Sequence, residues 1–315
     1  MRDFKYRWLV SGEEKWGVAL NEIRSASLRP VAHAFATDLT RTASLAFTPI
    51  GVAYYARRDQ RFEDYAAFKS TGKVDPQLSF LVEQELPDVI QQELKEERIK
   101  EKSVSAIEFI KRRKDYGLTY VESLLKVSEG MRISLEAIMT SVVIESWTAF
   151  ETLVSDVWII AVNEGPQEFA QRVSLVVQGK SDSKIPQHHR DQLQYDPRKE
   201  YAAAQVEIGN VTFRRLDRII YWYSITLKNH VSKIFSDHKD IHALSAYRNV
   251  LIHNQGIVDK DFIKQIEPVS DLRGTYKIDR KLELDGGLVQ RLRNAAIALG
   301  IKLIQAVDDV LSPKV

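Results

Sequence analysis

The residues best able to do chemistry sit in one short run. It reads Tyr247-Arg248-Asn249-Val250-Leu251-Ile252-His253-Asn254-Gln255-Gly256-Ile257-Val258-Asp259. Asn249 and His253 are four apart, so on a helix they share a face. Arg248 is adjacent to that face, and its long side chain can lean toward it. Arginine keeps its charge, and its planar fork suits a phosphate. Histidine titrates near neutrality and serves as a general acid or base. Asparagine can orient either. A basic anchor beside a proton-transfer group is what phosphodiester cleavage needs. The same residues have a plainer reading, an Arg on a solvated helix face and a His in the last turn, where the helix dipole favours a cation. Spacing alone favours the plainer one.

Other motifs fall away. Ser70-Thr71-Gly72-Lys73 has a Gly-Lys pair but no upstream glycine at the phosphate-loop spacing. Asp285-Gly286-Gly287 lacks the dinucleotide-binding pattern, and no Gly-x-Ser-x-Gly elbow occurs. His238 and His242 are four apart and could share a zinc ion on one helix face. A zinc protease would need Glu after the first His, where Lys239 stands, and no third ligand is evident. No metal or cofactor is therefore implied. His188-His189 lies in a polar stretch and reads as solvated.

Local charge is more suggestive than net charge. From Arg214 to His253 there are seven basic residues (Arg214, Arg215, Arg218, Lys228, Lys233, Lys239, Arg248) and three acidic ones. Lys111-Arg112-Arg113-Lys114 is a second basic cluster. Such patches attract phosphate backbones, although an ordinary solvated helix face looks the same. Tyr221, Trp222 and Tyr223 could stack on bases. Tyr223 has the spacing of a core residue, which leaves one of the other two to be exposed. Glu145 and Glu151 lie on a mostly apolar helix and would pair with Arg248 or another base.

Helices must position these groups. From Leu118 to Asn163 apolar residues recur at steps of three, four and seven, the stripe of an amphipathic helix. Gly130 could divide it, and Asn163-Glu164-Gly165-Pro166 stops it. A shorter helix is expected over Pro166 to Gln178, then a polar loop over Gly179 to Pro197. Phe213, Leu216, Ile220, Tyr223, Leu227, Val231 and Ile234 keep helical spacing over six turns. Asp240 to His253 is the next helix, ended by Asn254-Gln255-Gly256. Thr275 to Leu284 alternates loosely and suggests a small hairpin or an extended arm. Leu288, Leu292, Ala295, Leu299, Leu303, Ala306 and Val310 form the seam of a last helix, which could also face a second subunit. Val52 to Ser70 reads as a helix, and Leu78 to Lys114 as a solvated helix or a linker. The expectation is an all-α chain, with an N-terminal helical region over 1–115, of no assigned role, and a helical bundle over 116–315.

Composition narrows the class. The chain has 315 residues, a formal net charge of +2 and 44% apolar residues, values of an ordinary globular protein. It has no cysteine, which excludes disulfides, thiolate metal sites and a cysteine nucleophile. The N-terminal MRDFKYRWLV carries charges where a signal peptide needs an apolar core. The densest apolar stretch, Val157 to Val162, is far short of a membrane span. A soluble, cytoplasmic protein is expected.

The run around Arg248 resembles the signature of the HEPN superfamily, an Arg followed four to six residues later by His, often with a polar residue directly after the Arg. Arg248-Asn249-x3-His253 matches it, Asn249 included. The tail His253-Asn254-x-Gly256-x-Val258-Asp259, a short extended segment and a final helix is similar as well. Glu145-Ser146-Trp147-Thr148-Ala149-Phe150-Glu151 resembles the first core helix of several bacterial HEPN groups. The resemblance covers about Leu118 to Leu311. It implies an up-down HEPN-like bundle of four to five helices that dimerises with two Arg–His motifs facing one cleft. It also implies a metal-independent endoribonuclease, acting as a toxin or phage-defence effector. Arg248 would hold the scissile phosphate, His253 would move protons, and Asn249 would position one of them. Arg214, Arg215, Arg218 and Asn254 would contact RNA. The products would be a 2′,3′-cyclic phosphate and a 5′-hydroxyl. An antitoxin or defence-system partner could accompany such an enzyme. Two further readings stand beside it. One is a HEPN binding module without turnover, partnering a nucleotidyltransferase or another defence protein. The other is an interaction protein whose working part is the first 115 residues.

Overall fold

A computed structural model of the chain describes residues 20, 22–46, 48, 49, 121, 128–178, 201–207 and 209–313. Of these, 75% are helical and none forms a strand. The all-α expectation holds at that level. The helices expected over Val52 to Ser70 and Leu78 to Lys114, the basic cluster at Lys111, the polar loop at Gly179 and His188-His189 lie outside the described residues.

Nine helices are described. In chain order they are α1 (28–46), α2 (Glu129–Glu164), α3 (Gln167–Gln178), α4 (Tyr201–Glu207), α5 (Leu216–Leu227), α6 (Asn229–Asp237), α7 (Asp240–His253), α8 (Lys260–Ile266) and α9 (Gly286–Leu311). Residues 12–43 and 138–315 belong to one compact unit, and 1–11 with 44–137 to another. Residues 22–43 fold with the C-terminal helices. A buried carboxylate holds them there. Asp308, on α9, accepts from the backbone N–H groups of Arg24 and Ser25 at 3.1 and 2.7 Å and from Arg24 Nε at 3.1 Å. Burial pushes this carboxyl up, but those donors outweigh it and hold it below the usual carboxylate range. Arg293, also on α9, donates to the Leu39 carbonyl of α1 at 3.1 Å.

From Met139 onward α2 is the central helix of this unit. Met139, Val142, Trp147, Phe150, Val154, Val157 and Trp158 are buried. By length and mean hydropathy α2 is the one described helix that could cross a bilayer, yet 44% of its most apolar window is buried inside the protein. Trp158 packs on Phe213 and Trp222, with ring centroids 5.5 and 6.2 Å apart. A fully buried Trp removes roughly 200 Å² from water, on the order of 5 kcal/mol before entropy is subtracted. The expected stop is where the sequence placed it. Gly165 N–H caps Ala161 O at 3.1 Å, and a Cβ at Gly165 would lie 2.3 Å from that oxygen.

One expected helix is two. The stretch from Phe213 to Ile234 breaks at Lys228, which has φ 50°. Thr226 shows why. Its hydroxyl accepts from Trp158 Nε1 and donates to Trp222 O, both at 2.9 Å, and its carbonyl accepts from Arg172 of α3 at 3.0 Å. An arginine from another helix supplies the donor that a following turn would have supplied.

Most of the α9 seam faces the protein's own core, while Leu288, Ala306 and Val310 are half-buried. Leu292, Ala295, Leu299 and Leu303 are buried, and so are Val289, Ala296, Gly300, Ile304 and Val307 beside them. A Cβ at Gly300 would sit 2.7 Å from Leu153 and 2.8 Å from Phe35, so α1, α2 and α9 meet there at close range. The arm at Thr275 to Leu284 is not a hairpin. Residues 271–275 are turns, and Lys281 forms a single antiparallel bridge with Ile257.

Candidate functional site

The site is built on α7. Ile241, Leu244, Tyr247 and Val250 recur at steps of three and are buried, as an amphipathic helix requires. α7 packs on α8 and α9. Three anchors fix it. At its start, Arg291 of α9 donates to Asp240 through Nε and Nη2, at 2.8 and 2.5 Å, and to Asp271 through Nη2 at 3.0 Å. The guanidinium holds the Asp271 carboxyl below its ordinary range, and the two carboxylates keep Arg291 protonated more firmly. In the middle, Tyr247 packs edge-on against Phe262 and Tyr276, at 5.2 and 5.9 Å. Its hydroxyl meets that of Tyr276. Burial, then the Tyr276 hydrogen bond, pushes the Tyr247 hydroxyl up, so it stays neutral. At the end, the N–H groups of Asn254 and Gly256 both donate to Val250 O at 3.0 Å. Gln255 and Gly256 then turn the chain at φ 52° and 79°, a conformation that suits glycine.

The motif residues hang from this frame. Arg248 follows Leu244 by one turn and is half-buried. Its Nη1 donates to Asn249 Oδ1 at 3.2 Å. Its Nε is buried with no partner among the described residues. A buried unsatisfied donor costs roughly 1–3 kcal/mol. Asn249 Nδ2 donates to Gln265 Oε1 of α8 at 3.1 Å. His253 is exposed at the last residue of α7. Among the described residues no hydrogen bond joins it to Arg248 or Asn249. Arg248 and His253 lie five residues apart on α7, about 140° apart around its axis, with Arg248 half-buried and His253 exposed. The guanidinium can neutralise an anion and the imidazole can move a proton.

The remaining candidates are placed elsewhere. Asn254 Nδ2 donates to Ile257 O at 2.6 Å, which ties it to the turn. Arg214, Arg215 and Arg218 are exposed at the start of α5, a helix that packs on α3 and α6. Arg215 is paired with Asp217 at 3.0 Å. Of the three aromatics Tyr221 alone is exposed, and Trp222 and Tyr223 are core. Glu145 pairs with Arg41 at 2.7 Å and Glu151 accepts from Trp147 Nε1 at 2.9 Å, so neither serves Arg248. His238 and His242 do not share a helix. His238 follows α6 as its cap, its Nδ1–H donating to Ile234 O at 2.8 Å, while His242 is in α7, where burial lowers its pKa. No cluster of three metal-ligating side chains occurs among the described residues. Sequence reasoning missed Gln265. It carries no motif of its own, and only the packing of α8 on α7 brings it to Asn249.

No known protein family, curated protein or solved structure matches this chain.

Proposed function

We propose that this protein is a metal-independent endoribonuclease with an up-down HEPN-like bundle. The observation that carries the reading is that α7 bears both a guanidinium held by Asn249 and, five residues on, an exposed imidazole. In this reading Arg248 binds a nonbridging phosphate oxygen and stabilises the charge that grows there in the transition state. The RNA 2′-oxygen attacks phosphorus as it loses its proton, and the 5′-oxygen leaves as it gains one. His253 and the His253 of a second copy serve as base and acid, which is why a homodimer with facing motifs belongs to the proposal. The exposed arginines at the start of α5 add backbone attraction. A toxin or phage-defence effector acting in the cytoplasm fits such chemistry.

One observation favours a second reading. Ile252 near the end of α7, Ile257 just beyond it and Ile278 on the arm that bridges to Ile257 are exposed. Apolar residues there suit a protein partner, so the alternative is a non-catalytic HEPN module bound to a nucleotidyltransferase or another defence protein.

The test is RNA cleavage by purified protein in EDTA, beside Arg248→Ala and His253→Ala, with end-group analysis. Cyclic-phosphate ends that vanish in both variants support the ribonuclease. Equal behaviour of all three proteins supports the binding module.

A further inference from the structure

We infer that Gln265 is a positioning residue for Arg248, acting through Asn249. The inference rests on the ribonuclease reading and extends it to a residue outside the motif.

The Asn249 amide links the two side chains. An asparagine has one acceptor end and one donor end, and rotation by half a turn exchanges them. Arg248 Nη1 needs the acceptor end, and it has it, at 3.2 Å. The donor end must then point away and find an acceptor. Gln265 Oε1 is that acceptor, at 3.1 Å. Without it the donor end has no partner, and only the Arg248 contact resists a flip that would set an –NH2 against a guanidinium.

Gln265 is suited to the task because α8 is firmly placed. Asp259 caps the helix by accepting from Phe262 N–H at 2.7 Å. Phe262 and Ile266 are buried, and Phe262 also packs on Tyr247 of α7 at 5.2 Å. Gln265 stands between those two buried residues and is itself half-buried. The tie from α8 through Asn249 therefore reaches a guanidinium whose Nε has no partner among the described residues.

The test compares wild type, Gln265→Met, Gln265→Glu, Asn249→Ala, Arg248→Ala and the double variant Asn249→Ala/Gln265→Met, as full chains cutting RNA in EDTA. Gln265→Met keeps the shape and removes the acceptor. It should lower kcat about fivefold, the worth of one neutral hydrogen bond, with little change in KM. Gln265→Glu keeps an acceptor and should restore most of kcat. The double variant should be no worse than Asn249→Ala. Melting curves check that Gln265→Met is folded, and Gln265→Glu supplies the second variant if it is not. Wild-type kcat in Gln265→Met, failure of Gln265→Glu to rescue, or a full further loss in the double variant overturns the role of Gln265 alone, provided Arg248→Ala is inactive. A wild type that cuts nothing overturns the ribonuclease reading and the positioning role with it.

Discussion

Arg248 donates through Nη1 to Asn249, its own neighbour in the chain, while its Nε lies buried without a partner among the described residues. Leaving such a donor unsatisfied costs stability rather than adding to it. Arg248→Met should therefore abolish cleavage while leaving stability unchanged or higher by up to about 1 kcal/mol. Urea unfolding beside an activity assay checks both halves. A stability loss well above 1 kcal/mol would make Arg248 a structural residue.

His253 is exposed, so its removal should separate function from folding more cleanly. His253→Ala is expected to cost about 100-fold or more in cleavage and within about 0.5 kcal/mol in stability. The same two assays decide it.

Asp308 should make folding acid-sensitive. Its folded pKa lies below the unfolded value. Its contribution is therefore full above the unfolded pKa, about 4, and is lost as pH falls through the folded value. Asp308→Asn is expected to cost about 2 kcal/mol at pH 7, because charge-assisted hydrogen bonds from residues 24 and 25 weaken. The gap between variant and wild type should narrow as pH falls below about 4. Urea midpoints at neutral and acid pH test this, and a gap independent of pH would refute it.

Thr226 is fully buried and holds Trp158 Nε1. Thr226→Val keeps the shape and orphans that donor. A loss of about 1–3 kcal/mol is expected, with a change in tryptophan near-ultraviolet dichroism. An unchanged urea midpoint would mean that water replaces the hydroxyl.

Gly300→Ala should be destabilising by about 1–3 kcal/mol through overpacking against Leu153 and Phe35. Adding Phe35→Leu should recover part of the loss, with a coupling of at least about 0.5 kcal/mol. A double-mutant cycle in urea measures it, and strict additivity would place the strain elsewhere.

Much of the local structure was legible in the chain alone. The stop at Gly165-Pro166, the helix over Asp240 to His253 with its Asn254-Gln255-Gly256 end, and the last helix follow from apolar spacing and turn chemistry, which act within a few residues. The adjacency of Arg248 and Asn249 is likewise a matter of sequence. Partners far apart in the chain were not legible. The break at Lys228 depends on Arg172, more than fifty residues earlier. Residues 22–43 join the C-terminal unit because Asp308 is buried beside Arg24 and Ser25. Gln265 reaches Asn249 only because α8 folds back onto α7. Helical period and capping are local energies that the chain states directly. Which donor meets which acceptor depends on burial, and burial exists only once the helices have packed.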